Sequence, residues 1–191
     1  MLDALKFYAK EIREFLPDGE TGLACISADY FSGRELAFTP LSGEGDVTRS
    51  GSLKSEAERG WHIDPFDASL SIHAWDTAVE KLISGTTLIG APGSIAGTLS
   101  TVITPTADLL LTNQRLALVA NLRDSDRATN LLWSCAVQDI TTMRHIPRGI
   151  LQRGRVGIIF SDHSSIALIA GTVTSGKARQ LVNRFQSLTG R

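Results

Sequence analysis

The sequence predicts an α+β fold: a bent antiparallel sheet capped by one C-terminal helix, with an N-terminal helix and a large, partly helical insertion. Three observations carry that expectation. From Ala107 onward, short apolar segments alternate at period two between short polar turns, the pattern of an antiparallel meander. Residues 175–189 then switch to helical spacing, with Ala178, Leu181, Val182, Phe185 and Leu188 on one face behind Ser175 as N-cap. At the other end, Leu2, Leu5, Ala9, Ile12, Phe15 and Leu16 recur at steps of three and four among charged residues. That spacing makes residues 2–16 an amphipathic helix, ended by Pro17-Asp18-Gly19.

The remaining elements follow in order. A small-residue strand runs from Leu23 to about Tyr30, and a Ser32-Gly33 turn leads into a short strand at Glu35–Thr39. Residues 41–60 are rich in Gly, Ser and charge without apolar periodicity, and read as a long mobile loop. Trp61-His62-Ile63-Asp64-Pro65-Phe66 reads as an apolar anchor. Trp75, Ala78, Val79, Leu82 and Ile83 define a helix over 70–84, stopped by Gly85. The uncharged run Leu82–Ala107, with its Gly93–Gly97 pair, is long enough for a bilayer. Its Gly, Thr, Ser and Pro content drives insertion poorly, and Pro92 interrupts a spanning helix, so a wrapped, largely buried connector is expected. Strands then follow at Leu116/Leu118/Ala120, Leu131/Trp133/Cys135/Val137, Val156/Ile158/Phe160 and Ile166/Leu168/Ala170.

Leu16-Pro17-Asp18-Gly19-Glu20, leading into the first strand, resembles the opening of the bacterial pleckstrin-homology-like (PH-like) and GRAM-like domains. Leu109-Leu110-Leu111-Thr112-Asn113-Gln114-Arg115-Leu116 is similar to their strand–Thr-x-x-Arg–strand hairpin, and the closing helix follows the last strand as theirs does. The resemblance covers residues 16–30 and 106–189. It implies a sheet of about seven strongly bent strands under a helix, a binding role without catalytic residues, and no transferable ligand set. The chain then reads as one domain: helix and first strand in 1–30, an insertion in 31–105, and the remaining strands and capping helix in 106–191.

Bulk properties narrow the function. The formal charge of −1 argues against nucleic acid as the main partner, because phosphate binding leaves a basic footprint. Cys25 and Cys135 lie apart in apolar segments and read as buried thiols, with no CxxC spacing for a metal. The first residues carry an early acid and no continuous apolar core, so a signal peptide is not expected and a cytoplasmic location follows.

The main candidate site is the acid-free segment Arg144–Arg155, in which Arg144, His145, Arg148, Arg153 and Arg155 surround Gly and Pro residues that predict a loop or bend. Guanidinium groups suit phosphate or carboxylate through paired hydrogen bonds. An acidic protein segment or an anionic lipid headgroup is the expected partner, and peripheral membrane contact fits with it. Gly171-Thr172-Val173-Thr174-Ser175-Gly176-Lys177 matches a GxxxxGK phosphate loop, but Ala178 stands where a magnesium-binding hydroxyl belongs. Only thirteen residues follow Ala178, too few for the parallel strands such a loop serves. Asp162-His163-Ser164-Ser165 holds the residue types of a hydrolase triad, but neighbours on one tight turn diverge, so it reads as a turn.

The sequence thus points to a non-catalytic binding or scaffolding module, with no cofactor expected. Self-association through the 82–107 connector is the second reading, and a nucleotide-binding enzyme using 171–177 is the remote third.

Overall fold

The computed structural model describes residues 4–31, 33, 35–36, 78–124, 126–171 and 173–190. In chain order these form α1 (Ala4–Phe7), α2 (Ala9–Phe15), β1 (Gly22–Ser27), β2 (Glu35–Leu36), α3 (residues 78–84), β3 (Leu88–Ile89), α4 (Ile95–Val102) and β4 (Asp108–Thr112). Then come β5 (Arg115–Ala120), β6 (Asn130–Ala136), a 3₁₀ turn (Val137–Asp139), β7 (Ile140–His145), β8 (Arg155–Phe160), β9 (Ser165–Ile169) and α5 (Gly176–Thr189). The fold is α+β with two sheets. One runs β1-β4-β5-β6 and is antiparallel throughout; the other runs β2-β3-β9-β8-β7 and is antiparallel except for the two-residue β2–β3 pair. A bridge between Asp29 and Ile169 ties the end of the first sheet to the second.

Period two and burial on both faces explain the apolar runs. In the first sheet, Ala24, Ile26, Leu109, Leu111, Leu116 and Leu118 face a core shared with Ile158, Phe160, Ile166 and Leu168 of the second. The alternate residues Cys25, Leu110, Ala117 and Val119 face outward and are covered by Ile12, Leu5, Tyr8 and Phe15 of the N-terminal helices. On the second sheet, Ile159 and Ala167 face outward under Leu82, with Ala78 and Val79 beside them, so α3 covers that side. Ala178, Leu181, Val182 and Phe185 of α5, and Ala96 and Leu99 of α4, complete the shared core. An interior of this kind, filled from four sides, supplies most of the stability through removal of apolar surface from water.

Two segments far apart in sequence, Glu20–Thr21 and Thr112–Arg115, converge on one cluster. The Thr112 hydroxyl donates to Glu20 Oε1 at 2.7 Å and accepts from the amides of Gln114 and Arg115. Arg115 Nε donates to the same Glu20 oxygen at 2.9 Å, and Asn113 Oδ1 accepts from the Thr21 amide. The Thr-x-x-Arg turn and the Pro-Asp-Gly-Glu segment are thus held together by side chains, which fixes where β1 meets the β4–β5 hairpin.

Several expectations need correction. The N-terminal helix is interrupted at Tyr8, and it ends at Leu16, whose extended backbone is what a following proline requires. The 82–107 stretch is not a plain connector: it contains β3 and α4, the latter starting at Ser94, whose hydroxyl accepts from the Gly97 amide. A strand at 140–145 also went unanticipated; among the described residues there are nine strands, of which β2 and β3 lie within 31–105 and seven outside it. Ser175 occupies the N-cap position of α5 without a side-chain cap hydrogen bond, while Gly190 closes that helix in the left-handed conformation. Within the 31–105 segment, β2 and β3 extend the second sheet beyond β9. The loop 41–60, the anchor 61–66, the first half of the 70–84 helix and the end of the 35–39 strand lie outside the described residues.

Candidate functional site

The Arg144–Arg155 segment is a hairpin. β7 and β8 pair antiparallel as far as His145 opposite Val156, and beyond them the Ile146 amide donates to the Arg155 carbonyl at 2.9 Å. The Arg148 amide donates to the Gln152 carbonyl at 3.1 Å, and Gly149 turns the tip at φ +57°. His145 Nε2 lies 2.6 Å from the Arg153 carbonyl oxygen. A carbonyl only accepts, so Nε2 carries the proton and the half-buried ring braces the hairpin.

The candidate residues separate into two groups. Arg144, Arg148 and Arg153 are exposed, and none forms an ion pair among the described residues. The Arg148 guanidinium rests against Gly85, at the end of α3, where a Cβ would overlap it. Arg155 departs from the expectation. It is only 2% exposed, and its guanidinium donates to the Leu82 carbonyl at 2.5 Å and the Thr86 carbonyl at 2.6 Å. Burial, and then the like charge of Arg148, lower its pKa from the ordinary value. Arg155 therefore fastens the end of α3 to β8 and is not presented to a ligand.

Topology brings the second sequence candidate to the same place. The Gly154 amide donates to the Gly171 carbonyl at 3.0 Å, and the Ala170 amide returns a bond to the Gly154 carbonyl at 2.8 Å. A Cβ on Gly154 would overlap the main chain of Gly171 and Thr174, so the start of the GxxxxGK segment lies on the root of the arginine hairpin. The hairpin tip extends past this contact. Ile150 and Leu151 there are 71% and 72% exposed, more than any other large hydrophobic side chain among the described residues.

The Asp162–Ser165 turn lies at the opposite end of β8 and has another use. Asp162 Oδ2 accepts from the Ile95 amide at 2.7 Å, and its Oδ1 accepts from the Ser164 hydroxyl at 2.6 Å. Ser164 Oγ in turn accepts from the Ala96 amide, so the turn caps α4. Both cysteines are buried, as expected. Burial, with the Asp139 charge second, pushes the Cys135 thiol up to about 12. Among the described residues, no group of three or more His, Cys, Asp or Glu is placed to hold a metal ion, and no helix is long and apolar enough to cross a membrane. The apolar side chains Leu82, Leu88, Ala96 and Leu99 of the 82–107 stretch are buried inside the protein, whereas Ile83 is exposed.

One signal in the sequence was missed. Residues 140–191 carry eight Lys or Arg and a single acid, Asp162, in a chain whose formal charge is −1. That acid is engaged at α4, so nothing acidic from this part of the sequence offsets the hairpin arginines. The overall charge hid the asymmetry. Comparison with protein-family models and with curated proteins finds no match to this chain.

Proposed function

We propose that this chain is a non-catalytic binding or scaffolding module on a PH-like framework, taking an anionic partner at the hairpin between β7 and β8. The observation that carries the reading is the set of three exposed guanidinium groups, Arg144, Arg148 and Arg153, held on a braced hairpin without acidic partners among the described residues. Guanidinium groups on a rigid two-stranded support cost little ordering on binding, and they recognise phosphate or carboxylate by paired hydrogen bonds. The framework is supported by connectivity. β1, β4, β5 and β6 form a four-stranded meander, β7, β8 and β9 form a second meander, and a helix follows into the shared core, so seven strands are closed by a helix, as the PH-like resemblance implies. β2, β3, α3 and α4 then belong to the insertion after the first strand. A site at the cytoplasmic face of a membrane or on an acidic protein surface fits this chemistry.

Calorimetric titration of the full chain tests the reading, with glycerophosphoserine and a polyglutamate peptide as anionic probes. Binding of either probe that is lost in Arg148→Glu/Arg153→Glu supports it. Binding that persists in the variant, or the absence of binding to both probes, overturns it.

A further inference from the structure

The hairpin tip is apolar as well as basic, and that combination narrows the partner. Resting on the anionic-site reading, we infer that this end of the second sheet docks on an anionic lipid surface, with Ile150 and Leu151 entering the interfacial layer and Arg148 and Arg153 meeting headgroup phosphates. Ile150 and Leu151 are adjacent, yet both are more than two-thirds exposed, so the tip projects with neither side chain folded back. Val173, 59% exposed, sits on the loop that packs against Gly154 at the hairpin root. Ile83, 53% exposed, lies on α3, whose end is held by Arg155 and touched by Arg148. Exposed apolar groups therefore lie on the tip of the cationic hairpin and on the two segments that touch it.

A projecting aliphatic pair fits a bilayer interface better than a protein partner. A protein would need a pocket already shaped to receive it, whereas lipid headgroups rearrange around an inserted side chain. Arginine is suited to the same boundary, because its stem remains in apolar surroundings while the guanidinium reaches the phosphates. The charge pattern agrees: eight Lys or Arg against one acid over residues 140–191, with that acid at the far end of β8. Such a field attracts an anionic leaflet and weakens within about 8 Å at physiological salt.

Flotation of the full chain with vesicles of phosphatidylcholine, with and without phosphatidylserine, tests the inference. Capture is expected only with phosphatidylserine present. Arg148→Gln/Arg153→Gln should weaken it about twenty-five-fold, from about fivefold per arginine near an anionic surface. Ile150→Ser/Leu151→Ser should weaken it about tenfold through lost apolar burial. Because Cys25 and Cys135 are buried, a fluorophore on Leu151→Cys reports the tip selectively, and its emission should shift to the blue on phosphatidylserine vesicles. Urea midpoints of all variants exclude misfolding as the cause of any loss. Arginine-dependent binding of polyglutamate or glycerophosphoserine, with no vesicle capture or no effect of Ile150→Ser/Leu151→Ser, overturns the membrane inference while leaving the anionic site standing. Preference for an oligonucleotide over vesicles also overturns it. Loss of all arginine-dependent binding overturns both readings.

Discussion

Arg155 places a positive charge in the interior, satisfied by two main-chain carbonyls and, among the described residues, by no carboxylate. Replacing it separates its structural role from the ligand role that the sequence suggested. In Arg155→Met the apolar stem remains and the two charge-assisted bonds are lost, each contributing about 1.5–3 kcal/mol. The Leu82 carbonyl keeps a second donor, the Gly85 amide at 3.2 Å, so the main orphan is the Thr86 carbonyl. Relief from burying a cation offsets part of the loss. The net cost should be about 2 kcal/mol. Arg155→Lys should cost more, about 3–4 kcal/mol, because a compact ammonium spans the two carbonyls poorly yet still carries a buried charge beside Arg148. Urea unfolding gives both numbers, provided the slope with denaturant is unchanged. Hydrogen exchange at the Gly85 and Thr86 amides should show faster local opening of the α3 end. A lysine variant as stable as the native protein, or both variants within about 0.5 kcal/mol of it, would refute the reasoning.

Two further consequences concern the other end of β8 and the core. Asp162→Ala removes the acceptor for the Ile95 amide and the partner of Ser164. Loss of a cap should cost about 1–2 kcal/mol and expose the first amides of α4 to exchange, and unchanged protection there counts against the capping role. For Cys135, the folded thiol holds its proton up to about 12, whereas the unfolded thiol releases it near its ordinary value of 9.0. Between those values the unfolded state binds fewer protons, so stability falls as pH rises, by up to about 1.4 kcal/mol per pH unit from this group. Cys135→Ala should flatten that part of the alkaline profile, and native protein should resist thiol reagents at pH about 8. A profile of the same slope in the variant contradicts the burial argument. Tyr30, raised by burial and its bond to Glu35, acts in the same direction, so stability of the variant should still fall, less steeply, as pH rises.

What the sequence revealed, and what it did not, follows from the physics of each segment. The meander from Ala107 was legible because Leu109, Leu111, Leu116 and Leu118 alternate cleanly toward one core. β7 was not, because a register shift between Ile140 and Thr142 breaks the alternation and leaves Ile140 and Met143, three apart, as the buried pair. α4 was hidden by composition, since Thr and Ser are weak helix formers. Thr98, Ser100 and Thr101 turn their hydroxyls back onto carbonyls three or four residues earlier, and Ile95, Ala96, Leu99 and Val102 supply the apolar face. At the candidate site, Arg144, Arg148 and Arg153 are surface groups as residue type suggests. Arg155 cannot be told from them without knowing that β8 begins there and that α3 ends against it. The exposed Ile150-Leu151 pair was legible as apolar residues inside a basic turn; its exposure was not.

Nuclear magnetic resonance of the isotopically labelled full chain, titrated with phosphatidylserine-containing nanodiscs, addresses the central claim most directly. Line broadening concentrated at 146–153 and 173–177 is the expected result, with Ile150 and Leu151 broadened first. Broadening centred instead on the Asp162–Ser165 turn and the start of α4, or spread evenly over the chain, would contradict the assignment of the β7–β8 hairpin as the docking element.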